Sequence, residues 1–146
     1  MTYRIIQWGS GNVGAQVIAE VARRKDLTLK ALFVYNPDKV GMDAGRVAGI
    51  GKLGVKATNS VEQILALDAD CVIHAPLSSL VYGDDPEADL KTICALLASG
   101  KNVISTVGYM YPKVHGPRVV NKITRACRAG SSTFHGTGAN PGWLGD

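Results

Sequence analysis

Apolar and polar positions change rhythm at regular intervals along this chain. Residues 4–8, Arg-Ile-Ile-Gln-Trp, form an apolar run of strand length, and from Val13 onward Val17, Ile18 and Val21 recur at helical spacing. The same switch repeats downstream. Strand-like runs cover residues 29–35, 54–58, 70–75, 101–106 and 132–136, and helical patterns cover 60–67 and 85–99. A further helix opens at His115-Gly116-Pro117 and carries Val119, Ile123, Ala126 and Cys127 on one face. Local chemistry marks several boundaries. Ser60-Val61-Glu62-Gln63 reads as a capping box, and Asp85 as an N-cap with Pro86 in the first helical position. Gly100 is placed to be the left-handed residue that stops the helix bearing Leu90, Ile93, Cys94 and Leu97.

Alternation of strand and helix over almost the whole length predicts an α/β fold, a Rossmann-type doubly wound parallel sheet in three αβα layers. A chain of 146 residues is in the range of one domain, here residues 1–146. Its first strand meets its helix through Gly9-Ser10-Gly11-Asn12-Val13-Gly14, a G-x-G-x-x-G turn. Each glycine has its own predicted task. Gly9 lets the chain reverse off the strand, Gly11 lacks the Cβ that would hold a pyrophosphate away, and Gly14 lets helix and sheet approach. Free N–H groups at the helix start then face the phosphates, with the helix dipole adding partial positive charge. The six residues Gly9, Ser10, Gly11, Asn12, Val13 and Gly14 are therefore the expected dinucleotide grip, with an ordinary βα turn as the alternative.

The tip of the second strand, Tyr35-Asn36, is where a dinucleotide fold meets the adenosine ribose. Asn36 is uncharged and Lys39 follows, which favours the 2′-phosphate of NADP; Asp38 keeps NAD open, and Lys39 can equally be a solvated loop residue. Residues 41–54 are glycine-rich, with one short helical turn over 43–48, and read as a mobile segment beside the adenine end. Ala75, Pro76 and Leu77, at the carboxyl end of the 70–75 strand, are expected to line the middle of the cofactor. Thr106, Val107 and Gly108 are expected to approach the nicotinamide. His74 and His135 read as hydrogen-bonded core histidines.

Composition narrows the function classes. A hydrophobic content of 46% with 19% charged residues is that of a soluble globular protein and predicts no membrane span. The net charge of +4 is modest, and no basic run with interleaved aromatics predicts nucleic-acid binding. Arg23-Arg24-Lys25 closes the first helix, where cations oppose the negative end of its dipole. Cys71, Cys94 and Cys127 lie in apolar segments without C-x-x-C spacing, so they read as reduced core residues and no metal site is expected. No signal peptide pattern precedes the first strand, and the expected location is the cytoplasm.

Three blocks carry a family resemblance: Ile6-Gln7-Trp8-Gly9-Ser10-Gly11-Asn12-Val13-Gly14, Tyr35-Asn36-Pro37-Asp38-Lys39-Val40-Gly41, and Gly136-Thr137-Gly138-Ala139-Asn140-Pro141-Gly142. Together they resemble the dihydrodipicolinate reductase-like oxidoreductases, in the branch with 2,4-diaminopentanoate dehydrogenase and the NAD(P)-dependent amine dehydrogenases. The resemblance implies an enzyme with an N-terminal nicotinamide-cofactor domain and a C-terminal α/β domain that forms a homo-oligomer and closes over a small-molecule substrate. This sequence matches the first part, so it is expected to be a fragment or a short form, inactive by itself. Hydride would move between the nicotinamide and a C=N or C=O group of a small metabolite; a nucleotide- or CoA-sensing module without hydride transfer is the alternative. The amine dehydrogenase branch carries an acidic residue in the loop after the fifth strand, where this chain reads Val107-Gly108-Tyr109-Met110. Tyr109 is then a candidate proton donor, or an aromatic that stacks near the nicotinamide or packs against the other domain. Asn140 is a candidate to face the carboxamide or the substrate, or else shapes the Asn-Pro turn.

Overall fold

The computed structural model describes residues 1–138. Six strands, β1 (Tyr3–Trp8), β2 (Leu27–Phe33), β3 (Ala57–Thr58), β4 (Cys71–His74), β5 (Asn102–Ser105) and β6 (Phe134–Gly136), form one sheet. Its order is β3-β2-β1-β4-β5-β6 and every neighbouring pair is parallel. This is the 3-2-1-4-5-6 order of the Rossmann fold. The chain builds outward from β1 on one side, then returns to add strands on the other.

Helices cover both faces, which explains why residues 5–8 of β1 and 31–33 of β2 are buried in succession instead of alternately. On one face α1 (Asn12–Arg23) buries Ile18 and Val21 against Ile5, Leu29 and Leu32, with α2 (Ala44–Val47) beside it. On the other, Ile64 of α3 (Val61–Ala66), Leu90, Ile93 and Leu97 of α4 (Ala88–Ala98) and Val119 and Ile123 of α5 (Pro117–Gly130) cover Ile6, Trp8, Phe33, Val72 and Val103. Each fully buried aliphatic contributes roughly 1.5–3 kcal/mol, more than the helix-propensity difference between ordinary residues. Packing therefore decides these helices. No helix among the described residues is long and apolar enough to cross a membrane.

Some local expectations need correction. Helix α4 begins at Ala88, not at Pro86: Asp85 accepts the Glu87 N–H at 2.9 Å and its carbonyl accepts the Ala88 N–H at 3.1 Å, so it closes a separate turn first. The capping box is half formed. Ser60 Oγ accepts the Gln63 N–H at 3.2 Å, but the Gln63 side chain turns to Thr58 Oγ1, which itself takes the Ser60 N–H. Residues 41–54 are tied down, contrary to the mobile reading: the Asp43 carboxylate accepts N–H groups from Gly45, Leu53 and Gly54 at 2.7–2.9 Å. Turn glycines there serve a closed hydrogen-bonded loop. His135 is exposed on the edge strand β6 and is no core histidine, because the sheet ends there.

The amino end of β1 is clamped by charge. Arg4 pairs with Asp68 and Asp70, reaching Asp70 through Nη2 at 3.0 Å and Nε at 3.1 Å, while its backbone N–H reaches the same carboxylate at 2.7 Å. Side-chain hydrogen bonds from Arg4, then its backbone N–H, hold the Asp70 pKa down to about 2 from 3.8. A folded pKa below the unfolded one gives stability that is present above the unfolded value and disappears as pH falls through the folded one. Urea titrations between pH 5 and pH 2 should therefore show the wild type losing stability across this window. Asp70→Asn should start less stable and lose less over the same range.

Candidate functional site

The carboxyl ends of β1 and β4 lie side by side, since Trp8 pairs with His74 in register. After them the chain departs in opposite directions, to α1 on one face and toward α4 on the other, and a crevice opens between. A cleft of about 430 Å³ occupies it, lined by Gly9, Ser10, Gly11, Asn12, Val13, Tyr35, Asn36, Ala75, Pro76, Leu77 and Thr106. A hollow of about 470 Å³ between α4 and α5 lies on the outer helical face, away from the strand ends.

The glycine turn has the geometry its sequence predicts. Gly9 sits at φ +99°, and a Cβ there would come 2.8 Å from the Ala75 carbonyl oxygen. A Cβ on Gly14 would lie 2.2 Å from the Gly9 carbonyl oxygen, well inside contact distance. Around Gly11 the space is empty within 4 Å. Two glycines are thus required by the protein's own packing, and the third leaves room for something else.

No side chain caps the start of α1 and no acidic residue stands in its first turn. The amides that any helix leaves unbonded at this end remain free, in a locally electropositive setting. Beneath them Gln7 is fully buried, and its Nε2 donates to the Gly9 and Trp8 carbonyls at 2.9 and 3.2 Å. A polar residue within a strand covered on both faces was the available signal for this support; the sequence reading passed over it.

From the far wall Lys39 reaches the same turn, its Nζ 3.1 Å from Ser10 Oγ and 3.4 Å from the Ser10 carbonyl. Asn36 Oδ1 accepts the Asp38 N–H at 2.9 Å and so caps the short 3-10 turn Pro37–Lys39 that delivers the lysine. Tyr35 OH accepts from Trp8 Nε1 at 2.8 Å, and the Trp8 ring stacks on Phe33 at 3.7 Å. Burial raises the Tyr35 pKa, with the Asp89 charge adding to it. The cleft continues past Tyr35, Pro76 and Leu77 into a second hollow of about 370 Å³, which Ser79, Tyr82 and Asp89 help to line.

Other predicted residues fall outside the cleft wall. Val107 is 2% exposed and packs in the core, while Gly108 faces Leu80, whose Cδ1 lies 2.6 Å from where a Cβ would stand. Tyr109 is a correction. It is 2% exposed, packs in the core beneath α4 and α5, and its ring stands 4.9 Å from that of His115, so it is no accessible proton donor in this arrangement. Asn140 lies outside the described residues. His74 is buried as expected: its Nδ1 is 2.9 Å from Ser105 Oγ, and burial pushes its pKa down to about 3, leaving a neutral ring.

A family model described as dihydrodipicolinate reductase, N-terminus, matches residues 3–109. The chain belongs to this family. It is 33% identical over 144 residues to an amine dehydrogenase from Streptomyces virginiae, covering 97% of this chain and 39% of that protein. A 4-hydroxy-tetrahydrodipicolinate reductase from Rippkaea orientalis is 28% identical over 105 residues, covering 71% of this chain and 37% of its own length. The solved amine dehydrogenase from Mycobacterium smegmatis superposes with a TM-score of 0.82 at 22% identity, covering 94% of this chain and 40% of that one. The chain thus spans about two-fifths of these relatives. These relatives are named as dehydrogenases and reductases.

Within this family member, Gly14 and Gly11 should answer differently to an added methyl group. Gly14→Ala forces the first turn of α1 off the Gly9 carbonyl and should cost about 1–3 kcal/mol. Gly11→Ala, in open space at φ −73°, should leave stability within about 0.5 kcal/mol. Chemical denaturation of both variants beside the wild type checks the contrast.

Proposed function

We propose that this chain binds NADP(H) in the cleft above β1 and β4, as the cofactor part of an oxidoreductase acting on a C=N or C=O group of a small metabolite. The observation that carries the reading is the uncapped, acid-free start of α1 behind a Gly11 with nothing within 4 Å of its missing Cβ. Backbone amides from Ser10 to Val13 would hold the pyrophosphate. Asn36 and Lys39 would meet the adenosine ribose, with the lysine placed to accept a 2′-phosphate; it now rests on neutral Ser10 oxygens that an anion would outcompete. Ala75, Pro76 and Leu77 would flank the middle of the dinucleotide, and Thr106, which lines the cleft where Val107 and Gly108 do not, would bound the nicotinamide end.

When bound, the nicotinamide supplies or accepts the hydride. This chain's own residues bind the cofactor, orient it and shield one side from water. The loop from Thr106 to Gly116 carries no carboxylate. A carboxylate that moves the substrate proton would therefore come from outside it. The three cysteines are free thiols, in keeping with a reducing cytoplasm.

Calorimetric titration with NADPH and NADH tests the reading. The wild type should bind NADPH with a dissociation constant in the micromolar range and prefer it to NADH by roughly tenfold, the scale of one charge-assisted hydrogen bond. Gly11→Val should abolish binding of both at unchanged stability, and Lys39→Glu should remove the preference. Binding of CoA or ATP with none of either dinucleotide would replace this reading with a nucleotide-sensing one.

A further inference from the structure

On the α4 and α5 side of the sheet, next to the cleft, four nearly buried polar side chains form a row that cofactor contact alone does not explain: Ser79, Asp89, His74 and Ser105. At one end Asp89 Oδ2 accepts the Ser79 N–H at 2.7 Å, while Ser79 Oγ takes the Asp89 N–H and donates to the Pro86 carbonyl, both at 3.0 Å. This pair of hydrogen bonds to α4 anchors the loop that presents Ala75, Pro76 and Leu77 to the cleft. At the other end Ser105 Oγ is 2.9 Å from His74 Nδ1 and accepts the Val107 N–H at 3.3 Å, anchoring the loop after β5. Between the two ends is a gap. His74 Nε2 is wholly buried without a partner, and Asp89 Oδ1 faces it across 3.9 Å.

An apolar residue of similar shape in place of His74 would leave no orphaned atom, so an unmet ring nitrogen opposite a buried carboxyl calls for a function. We propose that His74 and Asp89 are positioning residues that couple the two cleft loops, and that cofactor entry closes the gap between them into a hydrogen bond. The proposal rests on the NADP(H) reading above. Closure by about 1 Å suffices to reach hydrogen-bond distance. The neutral ring supplies the proton for that bond: Nε2–H donates to the Asp89 carboxylate while Nδ1 accepts the Ser105 hydroxyl. Neither residue needs to touch the ligand. Ser79 and Val107 carry the movement to the loops, and the row makes the two walls adjust together.

A double-mutant cycle with His74→Phe and Asp89→Asn tests this, read by NADPH titration and by hydrogen exchange at individual amides. Asp89→Asn keeps an oxygen for the Ser79 N–H and sets an amide N–H2 against the Nε2 proton, so it breaks only the link to His74. Each single variant should weaken NADPH binding about fivefold, and the double variant should be no weaker than the poorer single one. With NADPH bound, exchange should also rise across the gap, at Ser79 in His74→Phe and at Val107 in Asp89→Asn. Additive losses, unchanged affinity, or exchange confined to the amide on the mutated side would overturn the coupling. Should His74→Phe fail to fold, His74→Asn takes its place in the cycle. A wild type that binds no dinucleotide defeats the cofactor reading and the closure with it, whereas binding with additive losses defeats the closure alone.

Discussion

The arrangement depends on one close approach, that of the first turn of α1 to the end of β1. A Gly14 Cβ would stand 2.2 Å from the Gly9 carbonyl oxygen, and a Gly9 Cβ 2.8 Å from the Ala75 carbonyl oxygen. Three backbone segments therefore meet with no side chain between them, and Gln7 fixes the meeting point from below. Glycine in place of alanine costs roughly 0.5–1 kcal/mol of backbone entropy in a regular element. Here the alternative is a clash, so glycine is the cheaper choice. The result is a helix start held over the strand ends with its amides unused.

Charge around this point is arranged by position more than by amount. The chain's net charge is only +4, and the basic cluster closing α1 is occupied by near neighbours: Arg23 with Glu20 and Arg24 with Asp26. Exposed pairs of this kind contribute at most about 1 kcal/mol. Lys39 differs because its partners are neutral oxygens of the glycine turn, 29 residues earlier in the chain. The cation and the helix start thus act on one small volume, where an anion would feel both.

The polar row beside the cleft shows why buried hydrogen-bonding groups repay attention in a parallel sheet. Each unmet group costs about 1–3 kcal/mol relative to a satisfied one, a sizeable share of the stability of a small domain. Asp89 was legible in principle, because with Ile93 and Leu97 it falls on the inward stripe of α4, where a charged residue is out of pattern. The helical reading picked out the apolar members of that stripe and passed over the carboxylate. His74 was placed in the core by its strand, but its hydrogen-bond partner Ser105 and the Asp89 carboxyl opposite it come from β5 and α4, and strand composition says nothing about them. Tyr109 follows the same rule in reverse: a polar-tipped residue in a loop near the ligand edge turned inward because the core beneath α4 had room for its ring.

The amino-acid sequence alone determined the element order, the parallel sheet, the glycine turn and the residues around it, since periodicity, turn chemistry and the demand for missing side chains are local properties. It also carried the family resemblance, through blocks that a general dinucleotide fold does not require. Tertiary structure decided the start of α4, the closed state of residues 41–54, the exposure of His135 and the burial of Tyr109. Each of these turns on a group brought from elsewhere in the chain or on where the sheet ends. Lys39 over Ser10 and Asp89 opposite His74 belong to the same class: the energies are short-ranged in space, but the partners are distant in sequence.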